Sequence, residues 1–64
     1  MRNFIRKRLI KQCIELEVRN DVRIYGSKWV VDHYDEIVKR IENLTIEQLR
    51  CLKNYNKIIN KIFK

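Results

Sequence analysis

The chain has 64 residues, enough for one domain at most, and a domain of that size buries only roughly 60% of the surface its unfolded chain exposes. Fifteen Lys and Arg stand against eight Asp and Glu, for a net charge of +7, a field that attracts polyanions and rules out a mimic of nucleic acid. Two cysteines and one histidine leave no disulfide framework and no zinc ligand set.

No apolar run has the length of a secretion signal's core or of a membrane span. A soluble, cytoplasmic protein of a reducing compartment is the resulting expectation. A second copy of the chain is the expected source of extra stability for so small a core, so a homodimer belongs among the partners. The richness in Ile, Lys and Asn is what AT-rich coding produces, as in a phage or another mobile element.

Residues 2–13 place Ile5, Leu9 and Cys13 at spacings of four, the pattern of an amphipathic helix. Arg2, Arg6, Lys7, Arg8 and Lys11 surround that stripe with no acid among them.

The stretch from Ile14 to Gly26 supports two structures. Ile14, Leu16, Val18, Val22 and Ile24 alternate as in a strand. A hairpin turning at Arg19-Asn20-Asp21 would set Val18 opposite Val22, Leu16 opposite Ile24 and Glu17 opposite Arg23. As a helix, the same residues extend the first stripe through Leu16, stop near Asn20-Asp21 and leave 22–25 extended.

Ser27 is placed to cap a second helix, whose acids Asp32, Asp35 and Glu36 precede Lys39 and Arg40 in the order that the helix dipole favours. Val30, Tyr34, Ile37, Ile41 and Leu44 form its inner face. Thr45-Ile46-Glu47-Gln48 matches a capping box after a turn at Asn43-Leu44. The last helix then has Leu49, Leu52, Tyr55, Ile59 and Phe63 inside, with Cys51 at the edge. On its other side Arg50, Lys53, Lys57, Lys61 and Lys64 recur at intervals of three and four.

The fold expected is mainly α, a small three-helix domain with helices near 2–18, 27–43 and 45–63 and a short extended segment near 22–25. The alternative is α+β: helix, β-hairpin and two helices. Charge divides along the chain as +5 over 1–13, −3 over 14–36 and +5 over 37–64.

That partition points to a non-enzymatic binding protein. Its basic faces, Arg2, Arg6, Lys7, Arg8 and Lys11 at one end and Arg50, Lys53, Lys57 and Lys61 at the other, are placed to contact a nucleic-acid backbone, DNA or RNA. A protein–protein inhibitor or adaptor docking these faces on an acidic partner is the alternative, and an anionic membrane surface ranks third. Residues 27–64 have the outline of a helix-turn-helix, with Gln48, Arg50 and Asn54 as its candidate base readers, but the turn lacks the usual glycine. Trp29, with Tyr25 and Tyr34, is either an aromatic platform or the core's largest plug, and the plug is favoured. His33 has no catalytic context, and no cofactor, metal or small-molecule substrate is implied.

Overall fold

The computed structural model describes residues 2–62, with Arg2 described by its backbone only. Three helices follow one another: α1 Arg2–Tyr25, α2 Ser27–Glu42 and α3 Ile46–Ile62. Phe63 and Lys64, expected on opposite sides of the last helix, lie outside the described residues.

The stretch 14–25 is helical throughout, which corrects both the extended segment at 22–25 and the alternative hairpin. Two helical stripes explain the false alternation. Leu9, Cys13, Leu16, Asn20 and Arg23 recur at spacings of four and three, a heptad stripe for one neighbour. Ile10, Ile14, Glu17 and Asp21 form a second stripe, rotated from the first, for the other neighbour. Ile14 belongs to one stripe and Leu16 to the other, so together they imitate a strand. Val22 and Ile24 are largely exposed.

α1 is the spine on which the other two helices pack, and α2 and α3 hardly touch each other. α2 runs antiparallel to it. Gly26 alone separates them, with φ of 96° and ψ of 161°, a backbone region that only glycine adopts without strain. Space is not the constraint at this position, since among the described residues nothing lies within 4 Å of where a Cβ would stand. Gly26 is also the N-cap, and Ser27, expected to cap, is the first helical residue.

At the other end of α2 the capping box forms as expected. The Thr45 amide donates to Gln48 Oε1 at 2.9 Å and the Gln48 amide to Thr45 Oγ1 at 3.1 Å. Each bond satisfies an amide that the new helix leaves without an internal acceptor.

α3 runs parallel to α1 at a nearly constant offset. The Cys13 thiol donates to the Leu49 carbonyl at 3.2 Å, and Asn20 Nδ2 donates to the Asn56 carbonyl and Oδ1 at 3.0 and 3.1 Å. The partners are 36 residues apart in each case. Near the end of the seam, Arg23 Nη1 donates to Asn60 Oδ1 at 3.0 Å.

Leu9, Cys13, Ile37, Ile41 and Leu49 make the buried core, with Ile10, Ile14, Trp29, Leu44, Ile46 and Leu52 packed around it. Asn56 takes the inner position expected of Tyr55, which is exposed. Ile5 and Tyr34 are also exposed. Of the two cysteines, both free, Cys13 is buried as expected while Cys51 is exposed. Burial raises the Cys13 thiol pKa, and the charge of Glu17 raises it further.

Candidate functional site

The basic cluster near the N-terminus divides among three directions. Arg6 turns inward at the end of α2: its Nη1 donates to the Leu44 carbonyl at 2.7 Å and its Nη2 to the Glu42 carbonyl at 2.5 Å. A cation at carbonyls that a helix C-terminus leaves open is favoured by charge and by hydrogen bonding, so Arg6 holds α1 to the α2–α3 turn. Lys7 and Lys11 stand on the α2 side of α1, beside Ile10, Ile14 and Tyr34. Arg8 stands on the α3 side. The side chain of Arg2 lies outside the described ones.

It is on the α3 side that the two basic ends meet. Two adjoining hollows follow the α1/α3 seam and share Gln12 and Lys53. One, of about 320 Å³, has Arg8 with the apolar Phe4, Ile5 and Leu9. The other, of about 300 Å³, has Arg19, Lys57 and Leu16, with the carboxylate of Glu15 at its edge. Because α1 and α3 are parallel, their basic residues form two rows in the same direction. Arg8 to Arg19 and Arg50 to Lys61 each span about 17 Å at 1.5 Å per residue.

Arg19 is the member of this groove that the sequence pattern did not bring forward. In the hairpin it sat in the turn, and in the shorter helix it followed the last residue. Its relation to Arg8, three turns away, is visible only once α1 is continuous. Lys53 and Lys57, expected on the side of the last helix opposite its inner face, border the α1/α3 seam, Lys53 half-buried and Lys57 exposed. Arg50 before them and Lys61 after them on the same helix are exposed.

The helix-turn-helix outline does not carry over. α3 packs along α1 instead of crossing α2, and the side-chain oxygen of Gln48, a candidate base reader, is engaged in the capping box.

Three acids from the middle of the chain, Glu17, Asp21 and Glu36, gather on the α2 side. A cleft of about 360 Å³ lies between α1 and α2, with Glu17 and Asp21 on one wall and Glu36 and Arg40 on the other. The Arg40 guanidinium pairs with Glu17 Oε1. Burial raises the Asp21 carboxyl pKa, and Arg40 opposes that rise in part.

Tyr25, Trp29 and His33 form a column along this cleft. Ring centroids are 4.3 Å apart for Tyr25 and Trp29 and 4.2 Å apart for Trp29 and His33. His33 Nδ1 lies 2.8 Å from the Trp29 carbonyl. A carbonyl can only accept, so Nδ1 is the donor in this contact. Trp29 packs half-buried against the core without being its plug, a place taken by Ile41 and Leu49, and in the stack His33 stands where Tyr34 was expected.

Among the described residues no helix is long and apolar enough to cross a membrane. Comparison with protein-family models, with curated proteins and with solved structures finds no match.

Proposed function

We propose that the chain is a non-enzymatic binding protein whose α1/α3 groove holds a nucleic-acid backbone. The observation that carries this reading is the convergence of Arg8 and Arg19 from α1 with Lys53 and Lys57 from α3 along one seam. Two parallel cationic rows about 17 Å long match the axial length of about five phosphates at 3.4 Å each. Arg50 and Lys61 extend the α3 row. Arg6 serves the fold, while Lys7 and Lys11 face the other side and contribute through the long-range field.

Contact with phosphates supplies affinity without sequence information, so binding is expected to be general for DNA and RNA and steeply dependent on salt. The test is fluorescence anisotropy with labelled single-stranded and duplex oligonucleotides across a salt series. Reversing both charges, Lys53→Glu and Lys57→Glu, should lower the slope of log affinity against log salt by about two. The pair Lys7→Glu and Lys11→Glu should change it less. Absence of binding to either nucleic acid at low salt ends the proposal.

A second reading has its own support. Phe4, 70% exposed, and Ile5 lie in the groove beside Arg8, a mixture of apolar and cationic surface that suits an acidic amphipathic helix of a partner protein. Phe4→Ala separates the two, since it should weaken a docked helix and leave salt-dependent oligonucleotide binding nearly unchanged.

A further inference from the structure

α3 carries apolar side chains on two of its sides, and α1 covers one of them. Leu49 is buried in the shared core and Asn56 in the seam with α1. On the far side of the helix Cys51, Tyr55, Ile58 and Ile62 recur at spacings of four, three and four, the stripe of a two-helix seam. At 3.6 residues per turn the four fall within about 60° of arc, centred roughly 140° from Leu49 and Asn56. All four are exposed, Tyr55 by 61%, Ile58 by 59% and Ile62 by 72%.

Among the described residues more large apolar side chains are exposed than buried, and a chain of 64 residues has little core to spare. Single exposed apolar residues need no explanation. Four aligned along one helix face form a patch of the kind that a second helix covers.

The occupant follows from the symmetry of the stripe and from its charged flank. Its spacing reads the same from either end. Two copies of α3 laid antiparallel about a two-fold axis therefore set Cys51 opposite Ile62 and Tyr55 opposite Ile58, each contact occurring twice. The small thiol meets a large side chain at both ends. Glu47, the one acid of α3, stands in its first turn and Lys61 in its last, on the same flank of the stripe. An antiparallel pair brings Glu47 of each copy to the end and flank where the other presents Lys61, whereas a parallel pair sets lysine beside lysine.

We infer that the outer face of α3 is the interface of a two-fold dimer, with Cys51, Tyr55, Ile58 and Ile62 packed against the same residues of an antiparallel second copy. A single pair of helices of this length covers about 800–1,000 Å² in total, which makes the interface weak and reversible. Its dissociation constant is accordingly about 1–100 µM. Lys53 and Lys57 lie about 130° or more around α3 from the centre of the stripe, so the dimer leaves the α1/α3 groove open.

Sedimentation equilibrium of the chain without nucleic acid, from about 1 µM to about 1 mM, should show a monomer–dimer equilibrium. Ile58→Glu enters the interface twice and should weaken association about a hundredfold or more, with the helical circular-dichroism signal retained. Val31→Glu, at a side chain of α2 that is 74% exposed, should leave association unchanged.

Disulfide capture under mild oxidation reads the register, and it stands even if a charged variant fails to fold. Ile62→Cys places a new thiol opposite Cys51 and should give a covalently linked dimer. The parent chain should not link: Cys13 is buried, and antiparallel pairing holds the two Cys51 thiols about 16 Å apart along the helix axis. A monomer throughout the concentration series, association unchanged in Ile58→Glu, an Ile62→Cys variant that stays unlinked, or a parent chain that links through Cys51 would each overturn the proposal. None of these results depends on oligonucleotide binding, so the two readings fail separately.

Discussion

Along its α3 side α1 meets a parallel helix through a seam with an amide pair at its middle and cations at its rim, while along its α2 side it meets an antiparallel helix through aliphatic contacts that give way to an acidic, aromatic cleft. Both seams share the core around Leu9, Cys13, Ile37, Ile41 and Leu49. They differ in what remains once that core is made. The α3 side gathers residues distant in sequence into a cationic surface; the α2 side gathers neighbours of the turn at Gly26 into a concave, carboxylate-lined cleft. One helix thus separates a groove rich in cations from a cleft rich in carboxylates.

The largest expected effects come from the core that joins the two seams. Leu49→Ala on α3 and Ile37→Ala on α2 should each cost about 2–5 kcal/mol, as buried large-to-small substitutions do. For a chain of this size that is a large share of a total of roughly 3–10 kcal/mol. Urea unfolding measures it. A marked inequality between the two would show that one seam holds the fold and the other merely follows.

The amide pair is the next place where the seams can be told apart. Asn20 and Asn56 are 2% and 4% exposed, yet Asn20 Oδ1 and Asn56 Nδ2 have no partner among the described residues. Asn20→Leu should cost about 1–3 kcal/mol by leaving the opposite amide buried and unpaired. Adding Asn56→Leu should recover most of that loss. The double variant is expected to lose the single parallel register, since a buried asparagine fixes register at the expense of stability. Broadened or duplicated amide resonances would reveal that loss, and a sharp, single-state spectrum would argue against a registering role.

The smallest effect belongs to the acidic cleft. Asp21 faces Glu17, Glu36, Arg40 and His33, and burial raises its pKa. The fold therefore binds this proton more tightly than the unfolded chain. Stability from this group falls as pH rises through its folded pKa and is regained as pH falls towards the ordinary aspartate value of about 3.9. Asp21→Asn should accordingly be more stable than the parent chain at neutral pH, with the difference vanishing in acid. Denaturant midpoints of both proteins across pH check the sign, and a less stable variant at neutral pH would contradict it.

What could be read from the residues alone follows the range of the interactions involved. The capping box at Thr45 and Gln48 and the inner positions Val30, Ile37 and Ile41 were legible because each depends on residues within a few turns of the same helix. The continuity of α1 was not. Its apolar residues serve two neighbours, and the sum of two helical stripes resembles strand alternation. Asn56 displaced Tyr55 from the inner face for a similar reason: apolar periodicity assigns the larger hydrophobic side chain inward, whereas the seam is built around an amide that only Asn20, 36 residues away, makes tolerable. Of the basic residues, Lys53 and Lys57 were read from their own helix. The division of Arg6, Lys7 and Arg8 in three directions, and the entry of Arg19, required the position of α3.

The reading of the α1/α3 seam as a polyanion-binding groove is tested most directly by an NMR titration of the isotopically labelled chain with a short oligonucleotide. Resonances of Arg8, Gln12, Arg19, Lys53 and Lys57 should shift, leaving the Trp29 indole and His33 ring in the α1/α2 cleft unmoved. Shifts centred on Trp29 and His33, or no shifts at low salt, would contradict it.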